Sequence, residues 1–313
     1  MADATLATIV PFLNSHSTKT SSGCVVKSYS HDTGSGPILC LVHGYPQSAY
    51  MWRHMAPLLK EKNLTLFLPE LPGYGLSSAP PQPDKRTVGT ILIEALHQVF
   101  NDSTRPVIWC GHDRGARIGH RLLVDNHPAH NIRAAILIDI VPTAEQWRSF
   151  ANPVAAVSYY HWPFLATPMA PQLIEAMGGG TYCANNFARA KGSNAAGVAR
   201  FEEHDAVDVY CRQFSKVETI AGSCADYASA AGEEVEEQAA DQEAGRKVTT
   251  PTMVIYSASN LGRMHDVEAV WPQWVDGELK CVGVSDGIGH YLPEEAPEQV
   301  AKLIIEWVDK HGK

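Results

Sequence analysis

Five short apolar runs, separated by stretches with helical periodicity, constrain the fold of this chain more than any other feature. They are rich in β-branched residues and contain few polar ones: PILCLVHG (37–44), LTLFLPEL (64–71), PVIWCGHD (106–113), AAILIDIV (134–141) and PTMVIYSA (251–258). Such runs are typical of strands buried on both faces of a parallel sheet, with helices as the crossover connections. The sequence therefore predicts an α/β fold with a mostly parallel central sheet.

The strand rhythm stops between Pro142 and about Lys247, where the sequence becomes aromatic and compatible with helices. A block of roughly 100 residues is unlikely to be a loop, because structureless loops longer than about 15 residues are rare in compact domains. We therefore predict an inserted helical cap at 144–247, between a first core part at 1–143 and a second at 248–313. The acidic stretch at 230–247 is expected to close the cap as a solvated helix.

The third apolar run leads into GHDRGARIGHR, which has the pattern of a strand, a sharp turn and a helix. Gly111 and Gly115 provide the small side chains that such a turn requires. Asp113 stands where the corresponding turn of a serine hydrolase carries its nucleophile, and the Arg114 amide would face a developing oxyanion. Alternatively, Asp113 only caps the helix that follows it.

Two other segments favour a catalytic role for Asp113. HGYP follows the first run and places the Tyr45 amide where the α/β-hydrolase fold has its second oxyanion-hole donor. His290, in GIGHYLPEE, lies between a short predicted strand and a C-terminal amphipathic helix, so it follows the nucleophile in the chain order that this fold requires. A structural histidine is the alternative.

The acid that orients His290 is expected to be Asp139, which ends the strand after the nucleophile helix. The more usual place, after PTMVIYSA, has no carboxylate before Asp266. Alternatively, Asp139 accepts hydrogen bonds from loop amides at the strand end.

An aspartate nucleophile is suited to displacement at a saturated carbon. Its attack on an alkyl halide or an epoxide gives an alkyl ester, which a water molecule activated by histidine can hydrolyse. A serine attacking the same carbon would leave an ether, which that water cannot cleave. The residue type therefore argues against ester substrates.

Composition and charge exclude several classes of partner. The formal net charge is −9, so we expect no nucleic-acid partner and no membrane surface, since either requires a basic face. The seven cysteines are scattered without a C-x-x-C pair, which argues against a disulfide framework and a zinc site. The sequence has no signal-peptide pattern and no apolar run of about 18 residues, so we predict a cytoplasmic protein. We also expect no metal and no other cofactor. The sequence is compatible with a homodimer.

In their order along the chain, these motifs resemble those of the fluoroacetate (haloacetate) dehalogenases of the α/β-hydrolase superfamily. The resemblance runs from about Gly36 to the C-terminus, through HGYPQSAYMW, ELPGYGLSS, GHDRGARIGHR, IDIVPT, YYHWPFLATP, GSCADYASAA and GIGHYLPEE. It implies an α/β-hydrolase core with an inserted cap, and hydrolysis of short 2-halocarboxylates to 2-hydroxy acids through an aspartyl ester. It also implies that Asp113 is the nucleophile, His290 the base and Asp139 the acid.

The resemblance assigns two further groups of residues. Arg114 and Arg117 match the family's carboxylate-binding arginines, and both would lie at the mouth of one helix turn; solvated helix arginines are the alternative. His161, Trp162 and Tyr227 match its halide-binding residues, whose N–H and O–H groups would stabilise a departing fluoride. Without the resemblance, YYHWPF would indicate the aromatic core of the cap.

The chain also departs from the family pattern. CANNFARAKGS lacks the tryptophan expected near Ala190, which predicts a roomier pocket, and Pro72 replaces a usual arginine. Two other functions stay open: a non-catalytic protein that binds a small acid, and an epoxide hydrolase with the same triad. In the epoxide hydrolase, cap tyrosines would donate to the epoxide oxygen, with Tyr159, Tyr160, Tyr182, Tyr210 and Tyr227 as candidates. The paired arginines favour an anionic haloacid as the small-molecule substrate.

Overall fold

An eight-stranded sheet forms the centre of the protein in the computed structural model, which describes residues 5–312. The strands are β1 (Asn14–Lys19), β2 (Val25–His31), β3 (Ile38–Val42), β4 (Thr65–Pro69), β5 (Val107–His112), β6 (Ile132–Ile138), β7 (Thr252–Ser257) and β8 (Leu279–Val284). Their order is β1-β2-β4-β3-β5-β6-β7-β8. Only the pairs β1–β2 and β2–β4 are antiparallel. The predicted mostly parallel sheet is confirmed, and the five apolar runs correspond to β3 through β7.

The central strands are apolar because helices cover both faces of the sheet. Every residue of β3, β4 and β5 is buried, whereas all residues of the edge strand β8 except Val284 are half-buried or exposed. The carboxyl ends of parallel strands meet at one edge of a sheet, where such folds bind their ligands. The segments after β3, β5 and β6, which contain Tyr45, Asp113 and Asp139, therefore lie at the same edge.

Helices connect the strands and cover the sheet. Those before β6 are α1 (Leu6–Ile9), α2 (Met55–Lys60), α3 (Lys85–Phe100) and α4 (Arg114–Asp125). Between β6 and β7 the chain forms α5 (Thr143–Ser149), α6 (Pro153–Ser158), α7 (His161–Leu165), α8 (Ala170–Met177), α9 (Gly179–Ala190), α10 (Ala195–Glu202), α11 (Ala206–Phe214), α12 (Val217–Ala231) and α13 (Glu233–Glu243). After β7 follow α14 (Leu261–Met264), α15 (Val267–Val270), α16 (Leu292–Glu295) and α17 (Pro297–His311). Within residues 5–312, no helix is both long and apolar enough to span a membrane.

The helices α5 to α13 occupy the stretch for which a cap is predicted. The division into 1–143, 144–247 and 248–313 itself stays a prediction, and residues 1–4 and 313 lie outside the described chain. Aromatic side chains join the inserted helices to the loop that carries His290: the ring centroids of Phe187 and Phe201 are 5.2 Å apart, and those of Phe201 and Tyr291 are 5.1 Å apart. The inserted helices therefore pack directly over the sheet edge described above.

The acidic stretch forms a helix, as expected, but the expectation of a solvated helix is wrong for one of its faces. Glu234 and Asp241 of α13 are buried. Lys85 Nζ lies 2.8 Å from the Glu234 carboxylate, and Arg121 Nη1 lies 2.6 Å from that of Asp241. These carboxylates point inward because buried cations on α3 and α4 compensate their charge, which the local charge pattern does not show.

Candidate active site

Asp113 lies in a sharp turn between β5 and α4. Its backbone has φ 48° and ψ −112°, a conformation that costs a non-glycine residue about 1–3 kcal/mol and that clusters at functional sites. A Cβ atom on Gly111 would lie 2.3 Å from the Gly115 carbonyl carbon, and one on Gly115 would lie 2.3 Å from the Val42 oxygen. Only glycine fits at these two positions. The two glycines therefore allow the start of α4 to pack closely against the ends of β3 and β5, which places Asp113 at the sheet edge.

A backbone amide donates a hydrogen bond to the carboxylate of Asp113, and a second amide follows it directly in the chain. The Tyr45 N–H donates to Oδ1 at 2.8 Å, and the N–H of Arg114 is the first in α4, so it has no intrahelical acceptor. The Asp113 side chain accepts no capping hydrogen bond from α4, which excludes the alternative that it only caps the helix. Both predicted oxyanion-hole residues therefore adjoin the carboxylate.

The imidazole of His290 lies between the carboxylates of Asp113 and Asp139. Its Nδ1 lies 2.6 Å from Asp139 Oδ2, and its Nε2 lies 3.8 Å from Asp113 Oδ2. A carboxylate accepts hydrogen bonds, so Nδ1 donates to Asp139 and Nε2 faces Asp113. The alternative for Asp139 also holds in part, because its Oδ1 accepts the Ser257 N–H at 2.7 Å. The loop amide and the imidazole therefore use different oxygens of one carboxylate.

The charges of the site favour an ionised Asp113 and a basic His290. Burial raises the pKa of Asp113, but His290 and Arg114 outweigh it and hold this pKa below its ordinary value. Burial lowers the pKa of His290, but the hydrogen bond to Asp139 and the charges of both aspartates leave it above its ordinary value. A carboxylate ready to attack and an imidazole able to accept a proton follow from this arrangement.

Sequence reasoning missed Glu295, which fixes the loop that carries His290. Its buried Oε2 accepts the N–H of Gly289 at 2.8 Å and the N–H of Gly192 at 2.9 Å. The His290 N–H donates to the carbonyl of Ala190 at 2.9 Å. Glu295 therefore joins the loop to the end of α9; the pair of carboxylates in HYLPEE, next to otherwise apolar residues, was the available signal.

A cavity of about 220 Å³ opens beside Asp113. It has room for several water molecules, each of which takes about 30 Å³ in the liquid. The predicted site residues that line it are Tyr45, Asp113, Arg117, Asp139, His161, Trp162, Tyr227 and His290. Arg189 and Ala190, near which the resemblance leads us to expect a tryptophan, also line the cavity, and Arg114 lies outside the lining.

The two predicted carboxylate-binding arginines differ in their surroundings. Arg114 is fully buried and its Nε and Nη2 bind the carboxylate of Asp226 at 2.7 and 2.8 Å, while Nη1 has no partner among residues 5–312. Arg117 is 4% exposed, and the described chain places no carboxylate within 4.0 Å of it; its Nη1 donates to the Val141 carbonyl at 2.8 Å. Burial and the charge of Arg114 lower the pKa of Arg117 to about 10, so it stays protonated at neutral pH.

The alternative of solvated arginines is therefore wrong, since both side chains are buried. The sequence did not reveal Asp226, whose charge compensates that of Arg114. Arg117 is a buried cation that faces the cavity without a carboxylate of its own in the described chain.

The three predicted halide-binding residues lie together on one wall of the cavity. The ring centroid of Tyr227 is 5.4 Å from that of Trp162 and 5.8 Å from that of His161, with edge-to-face geometry in both pairs. The Tyr227 hydroxyl is buried and has no hydrogen-bond partner among the described residues. Burial raises the pKa of Tyr227, so the phenol stays protonated and can donate. These rings form an aromatic cluster that also presents polar hydrogens.

Residues 37–297 match the family model for the alpha/beta hydrolase fold, and the chain belongs to that family. This confirms the α/β-hydrolase fold expected from the sequence. A fluoroacetate dehalogenase from Burkholderia sp is 30% identical over 290 residues, which cover 88% of each chain. A soluble epoxide hydrolase from Corynebacterium sp. (strain C12) is 28% identical over 281 residues, 88% of this chain and 91% of that protein.

A solved structure adds to the similarity to epoxide hydrolases. A candidate epoxide hydrolase from Pseudomonas aeruginosa superposes with a TM-score of 0.83 at 29% identity, covering 96% of this chain and 97% of that one. The resemblance to fluoroacetate dehalogenases is confirmed, and the similarity to epoxide hydrolases is also close. The protein is a hydrolase of this fold, related to enzymes of both kinds.

Proposed function

We propose that this hydrolase cleaves the carbon–halogen bond of short 2-halocarboxylates of the fluoroacetate or haloacetate type, giving a 2-hydroxy acid and halide. The observation that carries the proposal is Arg117, a buried guanidinium at the cavity without a carboxylate partner in residues 5–312. A buried cation with no carboxylate in contact with it is costly. An anionic substrate supplies that carboxylate beside Asp113, whereas a neutral epoxide does not.

In the proposed first step, Asp113 displaces the halide. Arg117 binds the substrate carboxylate and places C2 beside the Asp113 oxygen, which forms the new C–O bond. The C–halogen bond breaks and the halide leaves with its electron pair. His161, Trp162 and Tyr227 donate hydrogen bonds to it, which matters most for fluoride because of its strong hydration.

In the second step, His290 activates a water molecule. Nε2 takes a proton from the water, whose oxygen attacks the carbonyl carbon of the Asp113 ester, while Asp139 stabilises the imidazolium. The amides of Tyr45 and Arg114 stabilise the oxyanion. Collapse of this intermediate expels the 2-hydroxy acid, which takes the proton back from His290, and the Asp113 carboxyl group then loses its proton to solvent.

A second candidate function is epoxide hydrolysis by the same triad. It is favoured by the hydroxyls of Tyr159 and Tyr227, because both residues line the cavity and both hydroxyls are buried without a partner among the described residues. Either could donate to the oxygen of an opening epoxide. The similarity to epoxide hydrolases supports this alternative as well. Binding of a small acid without catalysis would not require the arrangement of Asp113, His290 and Asp139.

Incubation of the purified protein with fluoroacetate, chloroacetate and styrene oxide tests these functions. The proposal expects halide from the haloacids and no turnover by Asp113→Ala. Diol from styrene oxide without halide release would establish the epoxide hydrolase instead. Binding of the acids without any product would identify a small-acid-binding protein.

A further inference from the structure

Arg189 of α9 donates a hydrogen bond to the ring of His161 in α7. Its Nη2 lies 3.1 Å from Nδ1 of the imidazole. A guanidinium has only donors, so Nδ1 is the acceptor in this contact. The proton of a neutral His161 is then on Nε2, which has no hydrogen-bond partner within residues 5–312 although the residue lines the cavity.

Other contacts hold the Arg189 guanidinium in place. Nη1 donates to the carbonyl of Ser158 at 2.6 Å, and Nη2 also approaches Oδ1 of Asn186 at 3.3 Å. Asn186 is buried, and its Nδ2 donates to the carbonyl of Tyr182 at 2.9 Å, which orients its oxygen towards Arg189. Arg189 thus connects α9 to the C-terminal end of α6, three residues before His161.

The environment of His161 makes its tautomer matter. The ring is stacked on Tyr45, with centroids 6.0 Å apart and an interplanar angle of 7°. Burial, together with Arg189 and other nearby cations, holds the pKa of His161 well below its ordinary value. The ring is therefore neutral at neutral pH, and only one of its nitrogens can donate.

We propose that Arg189 is a positioning residue that holds His161 in the Nε2–H tautomer, so that the ring presents a donor to the group leaving the substrate carbon. With the proton on Nδ1 instead, the Nε2 lone pair would face a departing anion and repel it. The nature of that leaving group rests on the proposed function. The tautomer assignment rests on the contacts of Arg189 alone.

The tautomer can be measured without any turnover. Two-bond ¹H–¹⁵N correlation spectra of protein labelled with ¹⁵N-histidine distinguish the two neutral forms, and the spectrum of His161→Gln identifies the His161 signals. We expect only Nε2–H in the wild type and in Arg189→Lys, which keeps a donor. Arg189→Met should give a substantial fraction of Nδ1–H. The matched control is Arg212→Met, which removes an exposed arginine of α11 and should leave the His161 signals unchanged.

Bromide titration of the same samples reports on the donor itself. Bromide should shift the His161 Nε2 signal of the wild type, and Arg189→Met should weaken bromide binding by roughly 3- to 10-fold, as expected for one hydrogen bond. A wild-type His161 with its proton on Nδ1 would overturn the proposal even if the Met variant did not fold. Unchanged Nε2–H in a folded Arg189→Met would overturn it equally. If no haloacid is turned over but the tautomer follows Arg189, the proposed function fails and this assignment stands.

Discussion

Asp226 holds the guanidinium of Arg114 by two hydrogen bonds, Nε to Oδ2 at 2.7 Å and Nη2 to Oδ1 at 2.8 Å. Lys85 binds the same carboxylate, and the Tyr74 hydroxyl donates to it at 2.7 Å. The next residue is Tyr227, whose ring centroid lies 4.2 Å from the Arg114 guanidinium carbon. One carboxylate thus compensates the charge of Arg114, which lies over the ring of Tyr227, while the buried Arg117 lines the cavity without a carboxylate partner in the described chain.

Asp226→Asn should lower the free energy of unfolding by about 3–5 kcal/mol, because it leaves the buried cations Arg114 and Lys85 with less compensating charge. Urea unfolding measures the change. Asp208→Asn, at an exposed position of α11, is the control and should change stability by less than about 0.5 kcal/mol. Equal effects of the two substitutions would contradict this role of Asp226.

The contribution of Asp226 should also disappear in acid. Burial raises its pKa, but Arg114 and Lys85 outweigh burial and hold the pKa in the folded protein far below its ordinary value. A carboxyl group with a depressed pKa stabilises the folded state above its unfolded pKa of about 3.9, and this stability is lost as the pH falls below that value. The difference in unfolding free energy between wild type and Asp226→Asn should therefore shrink as the pH is lowered from about 5 to 3. A constant difference would exclude this linkage.

Attack and hydrolysis should separate when His290 is replaced. Asp113→Ala should abolish turnover, whereas His290→Asn should still be alkylated and then retain a stable ester on Asp113, because no base activates the water. Mass spectrometry of the His290 variant after exposure to chloroacetate checks this by the mass of the adduct. An unmodified protein would refute the division of roles between Asp113 and His290.

Arg117 should recognise the carboxylate of the substrate. Arg117→Gln should reduce kcat/KM for haloacids. The loss of transition-state stabilisation should be about 2 to 4 kcal/mol, as expected for a charge-assisted pair in a desolvated pocket. Activity on the uncharged haloacetamide should change far less. Arg263→Gln is a matched control, because this exposed arginine also lines the cavity and should cost less than about 1 kcal/mol. Equal losses on acid and amide would argue against carboxylate recognition by Arg117.

The sheet and the meeting of Asp113 and Asp139 at one of its edges could be predicted because their signals are local. Each apolar run contains one buried strand, and Asp113 and Asp139 stand next to strand ends, where parallel topology brings them together. Partners such as Asp226 could not be predicted, because 112 positions separate it from Arg114 and the contact exists only once α12 has folded beside the first residue of α4. The inward face of α13 and the contact of Arg189 with His161 depend on the same packing of the inserted helices.

Tyr227→Phe should slow defluorination more than dechlorination. It removes the buried hydroxyl, which has no other partner among the described residues, and hardly changes the volume of the ring. Fluoride needs hydrogen bonds most as it departs, so we expect a penalty of about 1.5 to 3 kcal/mol for fluoroacetate, by analogy with the loss of one oxyanion-hole contact. The penalty for chloroacetate should be smaller.

This Tyr227 contact forms as the halide leaves, so kcat should fall while KM stays nearly unchanged. Steady-state release of fluoride and chloride by wild type and Tyr227→Phe measures both parameters. Equal reductions for both substrates would mean that His161, Trp162 and Tyr227 serve only to pack the inserted helices. If the wild type released chloride but no fluoride, the space beside Ala190 would indicate a larger haloacid as substrate, and the aspartyl-ester chemistry would remain.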